Sequence, residues 1–373
     1  MEIEKLRAEI DRVDSELLPL FLRRMDLSAA IAGEKARTGA AIRDRARERE
    51  ILRNAAERAG NKAEYARLLY NAILEYSRSY QRDLITPDDD SDLPEECEEM
   101  FPRAATVACQ GVEGAYSQSA ADRALPFADI TFMRTFEGVF QAVESGLCRF
   151  GVLPIENSAH GSVTQVYDLM KSHRFFIVRS VRLHISHSLM ALPGARLEDI
   201  RAVTSHEQAI GQCSRFISSL PDVKVRLSEN TAVAARTVAE SGDRTLAAIS
   251  QEECAALYGL NILRRAIQNT DNNHTRFIVI EKQPRVYPGA NRISMQFSTP
   301  HTPGALAGVI SRFSAMGLNL TKLESRPVEG SDFRYIFYVD LEASLRDMAV
   351  RRMILSLKKD LPLFTFLGSY QEV

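Results

Sequence analysis

Apolar residues recur at three- and four-residue steps from Ile3 through Leu6, Ile10, Val13, Leu17, Leu20 and Leu27 to Ile31. That spacing belongs to one long helix with a single buried stripe, and it commits the start of the chain to an all-helical arrangement. The stripe breaks at Arg24, where packing would favour an apolar side chain. Pro19 also falls inside it and predicts a kink, because proline removes a backbone donor. A second helix is predicted over about 44–59, ending near Gly60. A third carries Tyr65, Leu68, Leu69, Ala72, Ile73 and Tyr76 on one face. Helices this long and thin bury little alone, and a homodimer or higher homo-oligomer sharing one core is the simplest remedy.

The remainder of the 373 residues requires further domains. Residues 1–82 carry a net +3, residues 83–103 carry −8, and the rest is +3. The acidic stretch holds Asp88-Asp89-Asp90 with Pro87, Pro94 and Pro102, and reads as a flexible linker. An acidic tether would repel a dianion, so it gives no sign of channelling between sites. No basic surface points to nucleic acid, and no apolar run points to a membrane span. Five scattered cysteines without a C-x-x-C pair argue against a disulfide framework or structural zinc. With no apolar leader, a reducing cytoplasm is the expected compartment. No metal and no cofactor is expected: the seven histidines show no ligand spacing.

From 104 to about 281, short apolar runs alternate with helical patterns, as in an α/β fold. Strands are predicted at 105–109, 150–155, 202–204, 246–249 and 277–280. Helices are predicted at 114–125, 135–145, 208–220 and 231–240. The final segment, 292–373, reads strand, helix, strand, strand, helix, strand, the order of a ferredoxin-like βαββαβ unit.

Charge on the helical segment points to chemistry. A buried guanidinium at Arg24 is costly unless an anion meets it. Asp44, Arg47, Glu48 and Ile51 share one helix face, as do Ser77 and Gln81. By spacing alone the run 43–50 equally describes a solvated, salt-bridged surface. The combination of L-R-A-E-I-D at 6–11, Arg23-Arg24, Lys35 and I-R-D-R-A-R-E at 42–48 resembles the all-helical chorismate mutases. The resemblance implies active-site positions at Arg7, Arg24, Lys35, Asp44, Arg47, Glu48, Ser77 and Gln81. It also implies an intertwined dimer in which Arg7 reaches the partner's site. Arg7, Arg24 and Ser77 would grip the carboxylates of chorismate. Lys35 and Gln81 would donate to the ether oxygen. Asp44 and Glu48 would accept from the hydroxyl, with Arg47 steadying the acids.

On the α/β segment, polar clusters fall at predicted strand ends, where open sheets place their sites. They are G-V-E-G-A-Y-S at 111–117, P-I-E-N-S at 154–158, S-H-E-Q at 205–208, Asn230-Thr231 and N-H-T-R-F at 273–277. The glycine turn opening a helix suits an anion. Ser205-His206 lacks a G-x-S-x-G elbow and does not read as a hydrolase. Taken in order, these motifs resemble prephenate dehydratases. That implies two α/β lobes like those of periplasmic binding proteins, with Thr275 in the catalytic position. Glu156, Asn157, Ser205, Gln212, Asn230, Thr231, Arg276 and Phe277 would then bind prephenate. The proton donor stays open between Thr275 and Glu156 in a closed cleft.

In the last segment, Gly304-Ala305-Leu306 enters a helix, Asn319 follows that helix, and Glu324-Ser325-Arg326-Pro327 leaves a strand. These motifs resemble the ACT domain, which implies phenylalanine as an effector bound by those eight residues. Together the three segments resemble the bifunctional chorismate mutase/prephenate dehydratases.

Overall fold

The computed structural model describes residues 2–86, 93–328 and 335–373. Pro87 and the Asp88–Asp90 run lie outside the described residues. The chain forms two compact units, Met1–Leu93 with Met295–Thr365, and Pro94–Ser294 with Phe366–Val373. The helical segment and most of the C-terminal segment therefore share one unit.

In that unit the helices are α1 (Glu2–Thr38), α2 (Arg45–Ala59) and α3 (Ala63–Ile85). α1 continues through Pro19 as one helix of 37 residues. The kink expected there does not divide the helix, since losing one donor leaves the neighbouring turns to carry it. Asp44 starts α2 by accepting the backbone N–H groups of Ala46 and Arg47 at 3.1 and 3.0 Å, an ordinary N-cap. Burial is sparse: α1 buries only Ser28 and Ala32, whereas α3 buries Leu74, Ser77 and Gln81. The apolar stripe from Ile3 to Ile31 is 48–65% exposed.

The same unit holds the C-terminal helices Ala305–Ala315 and Met348–Asp360 and the strands Asn319–Pro327 and Tyr335–Glu342. With Arg292–Ser298 and Leu363–Glu372 these follow the βαββαβ order read from the sequence. Phe313, Leu341, Ile354 and Leu357 are at or near zero exposure and form its interior.

The second unit contains two α/β lobes. One sheet runs Phe176–His184, His274–Glu281, Phe150–Asn157, Ala104–Gln110, Phe127–Met133. The other runs Asn261–Arg264, Ser188–Ala191, Leu246–Ser250, Ala202–Ser205, Lys224–Leu227. Val107, Val152, Val181, Phe277 and Val279 fill the first lobe, and Leu189, Val203, Ala247 and Ile249 the second. The helix predicted over 208–220 is two pieces, Glu207–Gln212 and Ser214–Ser218, which meet at Cys213.

The stretch read as a linker is partly built into the fold. Leu93 is buried. Cys97 donates its N–H to the Val286 carbonyl at 2.9 Å. Phe101 packs on Phe150 and Tyr287, with the Arg179 guanidinium 4.1 Å from its ring centre. Three aromatic contacts outweigh the acidic composition there, so residues 93–103 are a docked strap and not a free tether.

Candidate active sites

The first cluster is built where α1 crosses α3. Arg24 donates to the Ser77 hydroxyl, and that hydroxyl donates to the Ile73 carbonyl at 2.8 Å. Lys35 donates to the Ile42 carbonyl and, at 3.3 Å, to Gln81 Oε1. Ser77 and Gln81 are buried at 4% and 7% exposure, on helices that leave most of their leucines in solvent. Burial lowers the Arg24 pKa from its ordinary value, with a smaller opposing effect of Tyr70. A cation and polar side chains withdrawn from water while apolar ones stay wet is the reverse of what folding alone selects.

The acidic part of this cluster differs from expectation. The Asp44 carboxylate is engaged as a helix cap. Arg47 is exposed and pairs with Glu50 at 2.7 Å, so it does not steady Asp44 or Glu48. Arg43 at 3.2 Å and Arg78 hold Glu48 instead. Arg78 also pairs with Glu75. Arg78 lies in none of the motifs; its only sequence signal is the Glu75–Arg78 spacing of three. Arg7 is exposed near the start of α1. It stands seventeen residues before Arg24, about 26 Å along the helix.

The second cluster lies in the two-lobed unit. Thr275 and Asn157 are cross-strand neighbours. Asn157 Nδ2 donates to the Thr275 hydroxyl and to Asn273 Oδ1, both at 2.9 Å. Asn273 donates to Gln212 Oε1 at 2.9 Å, and Gln212 donates to His160 at 3.1 Å. His187 joins the same oxygen at 2.8 Å through Nε2 and meets the Tyr116 hydroxyl at 3.3 Å through Nδ1. Thr275, Asn157 and Gln212 are thus brought together, with Asn273, His160, His187 and Tyr116 as members that the motifs did not single out for a role.

Other expected residues are occupied elsewhere. The Ser205 hydroxyl is fully buried and donates to the Ile249 carbonyl at 2.6 Å, inside the second sheet. Asn230 caps the helix Thr231–Ser241 through Val233 at 2.8 Å. Phe277 belongs to the first lobe's core, because a strand end continues straight into the sheet interior. Arg276 lies 3.7 Å from Glu156, so Glu156 faces a guanidinium and not a closed apolar cleft. The glycine turn also serves packing. Gly114 donates to Gln118 Oε1 at 2.7 Å, and a Cβ on it, at φ +84°, would lie 2.8 Å from Cys254 Sγ. That N–H is therefore spent on the turn and not on an anion.

Burial depresses the His187 pKa, and the hydrogen bond to Gln212 opposes this only partly. The unfolded chain therefore takes up this proton first as pH falls through about 6.5. Thermal stability of the two-lobed unit is expected to decline below that pH and to level off once the folded histidine also titrates. Melting curves between pH 7.5 and 5 test this, and His187→Gln should make the decline shallower, with His206 and His274, also depressed, contributing the rest.

In the C-terminal segment, Gly304 caps the helix Ala305–Ala315 with φ +79°, and Ala305 and Leu306 form its first turn. Asn319 donates to Glu342 at 2.7 Å. Glu324 pairs with Arg326 at 3.3 Å. Strand alternation places exposed Ser325 on the opposite side from half-buried Glu324 and Arg326, so the expected E-S-R-P group does not share one face. Pro327 ends the strand.

Two separate clusters of polar side chains thus stand out, one on a helical scaffold and one at strand ends of a two-lobed α/β unit. Residues 6–82 match the family model for chorismate mutase type II, and residues 107–285 that for prephenate dehydratase. A bifunctional chorismate mutase/prephenate dehydratase of Buchnera aphidicola subsp. Acyrthosiphon pisum (strain APS) is 30% identical over 376 residues, covering 98% of this chain and 95% of that protein. A chloroplastic arogenate dehydratase/prephenate dehydratase of Arabidopsis thaliana is 39% identical over 276 residues, 71% of this chain and 72% of that one. The crystal structure of prephenate dehydratase from Arthrobacter aurescens in complex with L-Phe superposes with a TM-score of 0.65 at 28% identity, covering 71% of this chain and 90% of that one. The chain belongs to the bifunctional chorismate mutase/prephenate dehydratase family and catalyses both reactions, on the path to phenylalanine. Among the described residues no helix is long and apolar enough to cross a membrane.

Proposed function

We propose that Arg24, Ser77, Lys35 and Gln81 form the chorismate site, and that Thr275 with Asn157 and Gln212 forms the prephenate site. The observation that carries this reading is the burial of Ser77 and Gln81 against two cations on helices whose apolar stripe is wet. Chorismate rearranges through a compact cyclic transition state without proton transfer, so the enzyme acts by holding the folded shape and stabilising charge as the ether bond breaks. Arg24 beside Ser77 takes a carboxylate. Lys35 and the Gln81 amide donate where the ether oxygen becomes negative. Glu48, oriented by Arg43 and Arg78, accepts from the substrate hydroxyl.

In prephenate, a proton must reach the leaving ring hydroxyl while the ring carboxylate departs as CO2. Because Asn157 donates to the Thr275 oxygen, the threonine proton is left to point outward at a leaving group. This favours Thr275 over Glu156 as donor. Separate assays on chorismate and on prephenate test the assignment: each cluster's substitutions should silence one reaction and spare the other.

The reading extends to assembly and control. A second copy covers the exposed stripe of α1, and the span from Arg7 to Arg24 supports Arg7 serving the partner's site. Leu17→Glu should convert the dimer to monomer in sedimentation and lower mutase activity with it. The five thiols, all free, suit a reducing cytoplasm. Phenylalanine binds the C-terminal βαββαβ segment at the turn into Ala305–Ala315 and inhibits dehydration. A Cβ at Gly304 meets no atom within 4 Å, so Gly304→Ala acts through its left-handed backbone, about 1–2 kcal/mol of strain. It should weaken phenylalanine inhibition severalfold and leave uninhibited turnover unchanged. Unchanged inhibition would remove this turn from the effector site.

A further inference from the structure

Behind Glu48, charges of alternating sign continue away from the chorismate cluster. Arg78 bridges Glu48 and Glu75. Arg312, on the C-terminal helix Ala305–Ala315, reaches Glu75 at 3.3 Å and also pairs with Asp360. Asp360 in turn holds Arg82 of α3 and accepts from Ser79 at 3.3 Å. Gly308 on the same helix also faces Glu75: a Cβ there would make ordinary contact with its side chain, at 3.7 Å. All these residues belong to one compact unit.

Most members are withdrawn from solvent, Glu75 at 31% being the most open. Side-chain exposure is 12% at Glu48, 16% at Arg78, 11% at Arg312 and 5% at Asp360. Exposed ion pairs contribute little, but removing one partner of a withdrawn pair strands the other. Burial works against the Arg78 charge, and the bonds from Glu75 and Glu48 outweigh it, so its pKa is held above the ordinary value. Arg43, the other cation on Glu48, is 42% exposed and fixes it less firmly.

Resting on the assignment of Glu48 to the chorismate site, we propose that Arg78 is a positioning residue for Glu48, and that Arg312 of the C-terminal segment holds Arg78 in register through Glu75. The mutase site is then supported from behind by the C-terminal helix Ala305–Ala315. Arg78 touches no reacting atom; it fixes the carboxylate that does.

The test uses the full-length chain, with initial rates on chorismate and, as a folding control, on prephenate. Arg78→Met should lower mutase kcat/KM about ten- to two-hundredfold, the range for losing one charge-assisted hydrogen bond, with dehydration within twofold of wild type. Arg78→Lys should recover part of the loss. Arg312→Met should lower mutase activity about three- to tenfold by the same route. The deciding measurement is a double-mutant cycle: once Glu48→Gln is present, Arg78→Met should add less than twofold, because the group it orients is gone. Full additivity in that cycle, or wild-type mutase rates in Arg78→Met, overturns the positioning role. Wild-type rates in Arg312→Met overturn the link to the C-terminal segment. If Arg24→Ala and Glu48→Gln both left mutase activity intact, the chorismate-site assignment itself would be what failed.

Discussion

Thr275→Ala is expected to lower prephenate turnover by about 10²–10⁴, the usual contribution of a positioned proton donor, with mutase rates on chorismate unchanged. A free threonine hydroxyl is a poor acid, so its effect must come from placement. The placement is built by amides: Asn157 gives one N–H to the Thr275 oxygen and another to Asn273, and Asn273 in turn meets Gln212. Thr275→Ser keeps the oxygen and should retain most of the rate. Asn157→Ala should fall between the two, since it frees the hydroxyl to turn. The mutase assay is the control, because the chorismate cluster lies in the other compact unit. Equal loss of both activities in Thr275→Ala would indicate a folding defect. Full dehydration in a folded Thr275→Ala would move the donor role to Glu156, despite the Arg276 guanidinium 3.7 Å from it.

Much of this was legible in the sequence, and the reasons differ by segment. Three-and-four spacing located all three N-terminal helices, because an exposed or shared helix still needs its stripe. Apolar runs located the central strands Phe150–Asn157 and Leu246–Ser250, which are buried on both faces. Strands such as Lys224–Leu227, exposed throughout, and Phe127–Met133, at a sheet edge, carry no such run and were not predicted. Phe101 shows a different limit: a single aromatic docks a segment whose composition reads as a tether. In both clusters the motifs name positions but not their hydrogen-bond and ion-pair partners. Arg47 sits one turn from Glu50 and is taken by it, whereas Arg78 reaches Glu48 from 30 residues away. Ser205 and Phe277 stand inside motifs yet serve the sheet and the core, because short motifs mix residues that face a cleft with residues that hold it up.

Arg24→Ala should cut mutase kcat/KM by about ten- to two-hundredfold, from the 1.5–3 kcal/mol typical of a charge-assisted hydrogen bond at 1.36 kcal/mol per decade. It should do so without loss of stability. The guanidinium is partly desolvated, and burial already lowers its pKa. Its removal leaves Ser77 satisfied, since that hydroxyl also donates to the Ile73 carbonyl at 2.8 Å. An arginine kept for the fold would behave the other way, with melting temperature falling and activity following it. Arg24→Lys separates charge from shape: a lysine retains the positive field but offers no planar fork to a carboxylate, so it should recover only part of the rate. Wild-type turnover of chorismate by a well-folded Arg24→Ala would mean that the stripe's one interruption is an accident of packing. Inactivity with an unchanged melting curve would mean that α1 gives up a core position for a substrate anion.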